Sequence, residues 1–351
     1  MSNHKDDYLL AGLMVFFLIV FLPFFIGNAG GDDDSETIRD MAGRQVEIKV
    51  KSENSSRPII ALHAVPDLIV DRLAHNRHKT AQKNFVKSSS IFMNTNDYDR
   101  VNALPLVNAF YEPSSTEEIV SLHPAFIVTL TKDPKLESRK KELGAPVIAL
   151  SKDTLKDLAL DWKVMGRTIK YAGPTSDRIF TYLMNQVELF DSKTSSIDTK
   201  KRVWLANKDE NTIPGPQTIM QDAMKHAGAD TYWDLINYPE GFDPTEETVK
   251  VPIESMIDYD PEVIFCSDAA TKDKLMGDER LKNVSAIKSG KVYAEKKAFR
   301  IDSMSAFAGT AWMMNKIYPD LLGITDGDYG RDFYKNLFNS NVTEDELNLE
   351  N

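Results

Sequence analysis

Short apolar runs bounded by turn residues recur along the chain, and most of the stretches between them show helical spacing. Val46-Glu47-Ile48-Lys49-Val50 alternates as a half-buried strand, whereas Pro58-Ile59-Ile60-Ala61-Leu62 is continuously apolar, as a strand covered on both faces requires. Residues 64–74 then carry helical periodicity. Further apolar runs at 90–93, 126–130, 146–150, 202–206, 263–266 and 291–294 complete an alternation of strands and helices. That alternation predicts an α/β fold with parallel sheets.

Two segments repeat one plan. In Glu117-Glu118-Ile119-Val120-Ser121-Leu122-His123-Pro124 and Glu254-Ser255-Met256-Ile257-Asp258-Tyr259-Asp260-Pro261, a glutamate precedes a proline by seven residues and an apolar strand follows. The spacing predicts a helix opened by an acidic residue, ended before proline and feeding a buried strand, once in each of two lobes. Between the halves, Leu155, Leu158, Trp162, Met165, Ile169, Ile179, Leu183 and Val187 keep helical spacing, broken around Gly173-Pro174. The expectation is two lobes, 35–154 and 199–351, joined through a linking region, 155–198, built on one long helix. Such a connector resists the large hinge closure that loop-linked lobes allow.

The first 34 residues stand apart. Tyr8 to Ile26 is uncharged for 19 residues, long enough to cross a bilayer as a helix, and Gly30-Gly31-Asp32-Asp33-Asp34 follows as an acidic tether. This predicts a membrane anchor, or a signal cleaved near Gly27-Asn28-Ala29, with the lobes displayed at the outer face of the membrane. Composition is globular, 42% hydrophobic over 351 residues, and the net charge of -11 leaves no basic stripe for nucleic acid. The one cysteine, Cys266, lies in an apolar strand and reads as core filler. The motifs H-x-x-x-H, C-x-x-C, G-x-S-x-G and G-x-x-x-x-G-K do not occur and the histidines are dispersed, which argues against an enzyme, a resident metal or a site for a bare transition metal.

With these segments in view, the chain resembles the helix-linked periplasmic binding proteins of importers for ferric siderophores, haem and corrinoids, from about Ile38 to about Leu347. The opening Ile38-Arg39-Asp40-Met41-Ala42-Gly43-Arg44-Gln45-Val46 is similar to the first strand and tight turn of that family. The two glutamate-to-proline segments, Gly144-Ala145-Pro146-Val147-Ile148, Leu281 through Tyr293, and Trp312 through Asp320 follow in family order. Ala125 after Pro124 departs from the usual Asp, and the loop after Asn207 is long and polar through Pro214-Gly215-Pro216. The resemblance implies a monomeric solute-binding subunit with no cofactor of its own, which captures a metal chelate and delivers it to an ABC permease and its ATPase. It further implies that Glu117 and Glu254 dock on permease arginines. Each glutamate also suits its own helix dipole. A membrane-anchored sensor or surface domain, and more remotely a chelatase-like enzyme, remain as alternatives.

Ligands of open α/β sheets bind beyond the carboxyl ends of the strands. That rule selects His63; Asn94, Thr95 and Asn96; Thr131 and Lys132; Asn207 and Lys208; Ser267 and Asp268; and Phe299, Arg300 and Asp302. Arg300 offers a planar fork to an anionic ligand, the alternative being a solvated surface arginine. His63 is a candidate ligand for a cargo metal, although lone histidines more often pack than ligate.

Overall fold

A computed structural model describes residues 35–49, 56–82, 86, 93, 95–107, 116–169, 171–236, 238 and 241–349. The expected anchor, the strand at 90–93 apart from Met93, and the candidate Asn94 lie outside them. No helix among the described residues is long and apolar enough to cross a membrane. The chain opens with an antiparallel hairpin, β1 (Ser35–Arg39) and β2 (Gln45–Lys49). The first lobe then runs β3 (Ile59–Ala61), α1 (Ala64–Ala74), β4 (Ala81–Gln82), α2 (Thr95–Asn102), β5 (Leu106–Val107), α3 (Thr116–Ser121), β6 (Phe126–Leu130), α4 (Leu136–Leu143) and β7 (Val147–Leu150). Strands β3, β6 and β7 form a parallel sheet in that order, and β4 pairs with β5. All three strands of the main sheet are buried along their length, as helices on both faces demand.

The opening hairpin is fastened by one carboxylate. Buried Asp40 accepts from Arg44 N at 2.9 Å, from the Arg44 guanidinium at 3.0 and 2.7 Å, and from Ala149 N at 3.1 Å. Gly43 supplies the positive φ of 77° that this tight turn needs. A buried charge is tolerable here because every oxygen is met by a donor.

Helices α5 (Leu155–Thr168) and α6 (Gly173–Thr194) link the lobes. The second lobe continues through β8 (Lys201–Ala206), β9 (Thr212–Pro214), α7 (Ile219–His226), β10 (Ala229–Thr231), α8 (Tyr232–Leu235), β11 (Thr248–Lys250), α9 (Ile253–Tyr259), β12 (Val263–Cys266), α10 (Ala269–Gly277), α11 (Ser285–Ser289), β13 (Val292–Ala294), α12 (Ala306–Ile317), α13 (Asp326–Phe338) and α14 (Glu344–Leu347). Its sheet is parallel in the order β10-β8-β12-β13, while β9 and β11 form a separate antiparallel arm. Cys266 is buried in β12, and burial pushes its thiol up to about 12, so it behaves as a small apolar side chain.

The repeated plan is visible in both lobes, in α3 leading to β6 and in α9 leading to β12. Each helix is followed by a left-handed residue directly before the proline, His123 at φ 49° and Asp260 at φ 47°. An arginine then holds each bend. Arg57 donates to His123 O at 2.7 Å and Pro124 O at 3.0 Å, and Arg202 donates to Asp260 O at 3.0 and 2.8 Å. The guanidinium satisfies carbonyls in the bend, where the helix has ended and no helical N–H follows to meet them.

The single long helix expected across residues 155–190 is instead a pair. Helix α5 ends at Thr168, the chain reverses, and α6 begins at Gly173 with proline in its first turn, where a missing N–H costs nothing. The two pack closely: Ser176 Oγ donates to Trp162 O at 2.6 Å, and Lys163 Nζ lies 2.5 Å from Asp177 Oδ1. One continuous core runs from Ile38 and Ile60 through Trp162 and Phe190 to Phe265, Phe307 and Leu347, so the pair belongs to both lobes. A second core, with Trp204, Met256 and Ile264, fills the other face of the second sheet.

At the crossing, Gly166 lies against Ser176, and a Cβ there would collide with Ser176 Oγ and Cβ. Gly166→Ala is expected to pry the helices apart and destabilise the chain by about 1–3 kcal/mol, the usual cost of overpacking. Urea denaturation checks this; a loss under about 0.5 kcal/mol, the scale of a surface substitution, contradicts it.

Candidate functional site

Residues just beyond the carboxyl ends of β6 and β7 in the first lobe meet residues of the second lobe. Lys132, after β6, lies 2.9 Å from Asp153 Oδ1 of its own lobe, donates to Gln217 O of the second lobe at 3.2 Å, and comes within 3.5 Å of Glu247 Oε1. Lys152, after β7, lies 3.6 Å from Glu247 Oε2. Deeper in, Leu155 N donates to Asp222 Oδ2 at 2.8 Å, tying the start of α5 to α7.

His63 is the second residue beyond β3 and caps α1, its Nδ1 accepting from Val65 N at 3.3 Å. Burial and the Lys152 charge bring its pKa down to about 3 against the opposing pull of Asp302, so the imidazole is neutral. A metal on Nδ1 would have to break the cap. Across the cleft, Arg300 grips Asp302 through two bonds, Nε to Oδ1 at 3.0 Å and a short one from Nη2 to Oδ2. Burial lowers the Arg300 pKa and the Asp302 charge more than restores it; burial raises that of Asp302, and Arg300 and Lys152 bring it below the usual range. Beneath them Glu295 is buried, and burial with the Asp302 charge raises its pKa well above the ordinary value, favouring the neutral carboxyl.

The other candidates occupy varied places. Asn207 Nδ2 donates to Met220 Sδ at 3.8 Å. Lys208 N donates to Ser267 Oγ at 3.0 Å, and Asp268 caps α10 by accepting from Thr271 N at 2.7 Å. Thr131 N donates to Leu150 O. Thr95 and Asn96 open α2. Phe299 is 3% exposed and stacks on Trp312 with ring centroids 6.4 Å apart, so it supports the floor from the core rather than facing solvent. Glu117 and Glu254 are exposed in the first turns of α3 and α9. Lys152 lies at a strand end by the same rule that selected the others and extends it to β7. Glu247 gave no such signal, because it comes from the short antiparallel arm.

Helices α1 and α2 are joined through a largely buried ionic chain. Asp67 Oδ1 meets His78 Nε2 at 2.7 Å, Asp71 Oδ1 meets His78 Nδ1 at 2.8 Å, and Arg100 of α2 pairs with the same Asp71 oxygen. Both imidazole nitrogens face carboxylates, so both carry protons and the ring is cationic. Burial works against that charge, but the charges and hydrogen bonds of Asp67 and Asp71 win and raise the pKa from 6.5 to about 9.

A family profile described as Periplasmic binding protein matches residues 59–298. The chain belongs to the periplasmic binding protein family. It is a solute-binding protein of the ABC-transporter type, a family whose members work outside the cytoplasm with a membrane permease. No curated protein matches the sequence. Among solved structures, a periplasmic solute binding protein of Veillonella parvula is 19% identical over 90% of this chain and 96% of its own, with a TM-score of 0.70. A molybdate periplasmic binding protein of Haemophilus influenzae, solved with molybdate, is 16% identical over 88% and 99%, also at 0.70. A periplasmic haem-binding protein of Roseiflexus is 14% identical over 76% and 99%, at 0.57. At these identities the likeness is one of fold.

His78 sets a pH dependence. Its folded pKa exceeds the unfolded one, so its contribution is complete below about 6.5 and is lost as pH rises through about 9. His78→Gln is expected to cost on the order of 3 kcal/mol at neutral pH. Thermal melts from pH 6.5 to about 9 should show a falling Tm in the parent chain and a flatter, lower profile in the variant. Parallel profiles contradict the assignment.

Proposed function

We propose that this periplasmic binding protein captures an anionic metal chelate, of the ferric siderophore, haem or corrinoid class, in the interlobe cleft and hands it to an ABC permease. The observation that carries the reading is the set of cations at the cleft: Lys132 and Lys152 from the first lobe and Arg300 from the second, with their partners at or near the surface. Lysine and arginine heads at the rims of facing sheets attract an acidic solute and orient it between the lobes. No group of three or more His, Cys, Asp or Glu among the described residues is arranged to hold a metal ion, which favours a cargo that brings its own ligand shell. Related folds from Haemophilus influenzae and Roseiflexus are named for an oxyanion and for haem, consistent with a cleft of this type serving differently shaped anions.

Glu117 and Glu254 lie at the amino ends of α3 and α9, which in a parallel α/β lobe is the side where strands end and the cleft opens. Two exposed carboxylates, one per lobe on that side, suit docking on basic residues of the permease, where charge steers approach and register. Replacing both by lysine should leave cargo affinity unchanged and abolish uptake by the reconstituted transporter; unimpaired uptake removes the docking role.

The cargo is identified by titrating the full chain with ferric siderophores, haem, cobalamin and free metal ions while following tryptophan emission. Saturable quenching by one chelate is expected, with affinity about tenfold weaker in Arg300→Ala, in line with loss of a charged hydrogen bond. Silence across the panel from a folded chain, or binding of a free ion in preference to every chelate, contradicts the reading.

A further inference from the structure

The arm formed by β9 and β11 places one carboxylate where a cargo acid group would sit. Thr248 pairs with Pro214 and Lys250 with Thr212, and Gly215 N donates to Glu247 O at 3.1 Å. Gly215 has no room for a side chain, since a Cβ would overlap the Glu246 carbonyl oxygen. Trp233 Nε1 donates to Pro214 O at 2.7 Å and Gln221 Nε2 to the same oxygen at 3.3 Å, which binds the arm to its own lobe, and the bond from Val251 N to Asn211 O at 2.8 Å extends the ladder between its strands. The backbone of Glu247 is thereby fixed, and its carboxylate extends to the opposite lobe. There its two oxygens divide between two lysines, Oε1 at 3.5 Å from Lys132 and Oε2 at 3.6 Å from Lys152.

The lysines here are shared among several carboxylates. Lys132 has Asp153 at 2.9 Å and Glu247 at 3.5 Å and also feels Asp243, while Lys152 has Glu247 at 3.6 Å and also acts on Asp302, which Arg300 grips. Turning Glu247 away removes the one carboxylate that lies within 4 Å of both Lys132 and Lys152. The lysines are the more protected members, 23% and 14% exposed against 37% for Glu247, so the carboxylate can rotate to water while the cations stay in place. His63 adds no charge, and the buried Glu295 favours its neutral form.

We infer that Glu247 is a tethered stand-in for the acid group of the cargo, and that Lys132 and Lys152 form an oxyanion subsite which a carboxylate-bearing solute occupies by displacing it. The inference rests on the reading of the interlobe cleft as the capture site, and it names the chemistry of one end of that cargo. A carboxylate held on a rigid arm has a high effective concentration at the lysines. A neutral solute cannot displace it, whereas an anion of higher charge density or bidentate geometry can. The same exchange removes one bridge between the lobes, so occupation of the subsite and release of the arm are coupled.

Citrate serves as the probe, a soluble polycarboxylate independent of cargo identity. In calorimetric titrations of the full-length chain, Glu247→Gln should bind citrate about three- to fivefold more tightly than the parent, the scale of one partly exposed ion pair. Adding Lys152→Gln to that variant should abolish the gain. Glu247→Gln keeps the backbone bonds of the arm, and unchanged circular dichroism confirms its fold. Equal or weaker citrate binding by Glu247→Gln, or no citrate binding by either chain, overturns the inference. The outcome separates from that of the cargo panel: a chelate captured equally well by both chains, without a citrate effect, removes the stand-in alone. A gain for citrate with a silent panel removes the chelate reading and leaves the subsite.

Discussion

The relation between the lobes depends on the close approach of α5 and α6 at Gly166 and Ser176. Without a side chain on Gly166 the helices come near enough for Ser176 Oγ to reach Trp162 O, and the buried faces of both then enter one core shared by the two sheets. Close-packed interiors do not deform continuously, so a connector of this kind holds the cleft near one width. The bond from Leu155 N to Asp222 adds a second point of attachment where α5 leaves the first lobe. Solute capture on such a frame requires side chains and loop segments to adapt, with little swing of whole lobes.

On that frame the cleft is charged and nearly self-compensated. Cations project from both sides, each matched by a carboxylate on its own lobe or the facing one, while His63 and Glu295, which burial drives toward the neutral form, line the interior. An unpartnered buried cation would be costly. A cation paired with an exchangeable carboxylate is stable without cargo and still offers an attractive site to one. Specificity then comes from what a solute can replace as well as from what it can touch.

Much of the scaffold was legible because buried parallel strands are continuous apolar runs. The runs at 126–130 and 263–266 and the helix at 64–74 coincide with β6, β12 and α1. The glutamate-to-proline repeat was readable as well, since a proline beyond the first turn stops a helix. The reversal between α5 and α6 was hidden because Ile169 and Ala172, in the turn, are buried apolar residues that continue the helical pattern, and because Gly173-Pro174 starts a helix rather than ending one. Of the candidate residues, those at strand ends were reachable by a topological rule. Their partners were not: Asp302, though itself a candidate, occupies the fork of Arg300, and Glu247 arrives from an arm whose Thr-Ile-Pro and Thr-Val-Lys strands have neither length nor alternation enough to stand out. Phe299 sits next to Arg300 in sequence, yet the short helical turn at 297–299 sends it into the core.

The central claim is that one solute is held by both lobes at once, at the carboxyl ends of their strands. Hydrogen exchange of the full-length chain, with and without the chelate selected by titration, tests it most directly. The account predicts slowed exchange together in the loops around Lys132 and Lys152, in the arm around Glu247, and around Arg300, with the outer helices α4 and α13 unchanged. Protection confined to one lobe, or appearing on those outer helices instead, would contradict it.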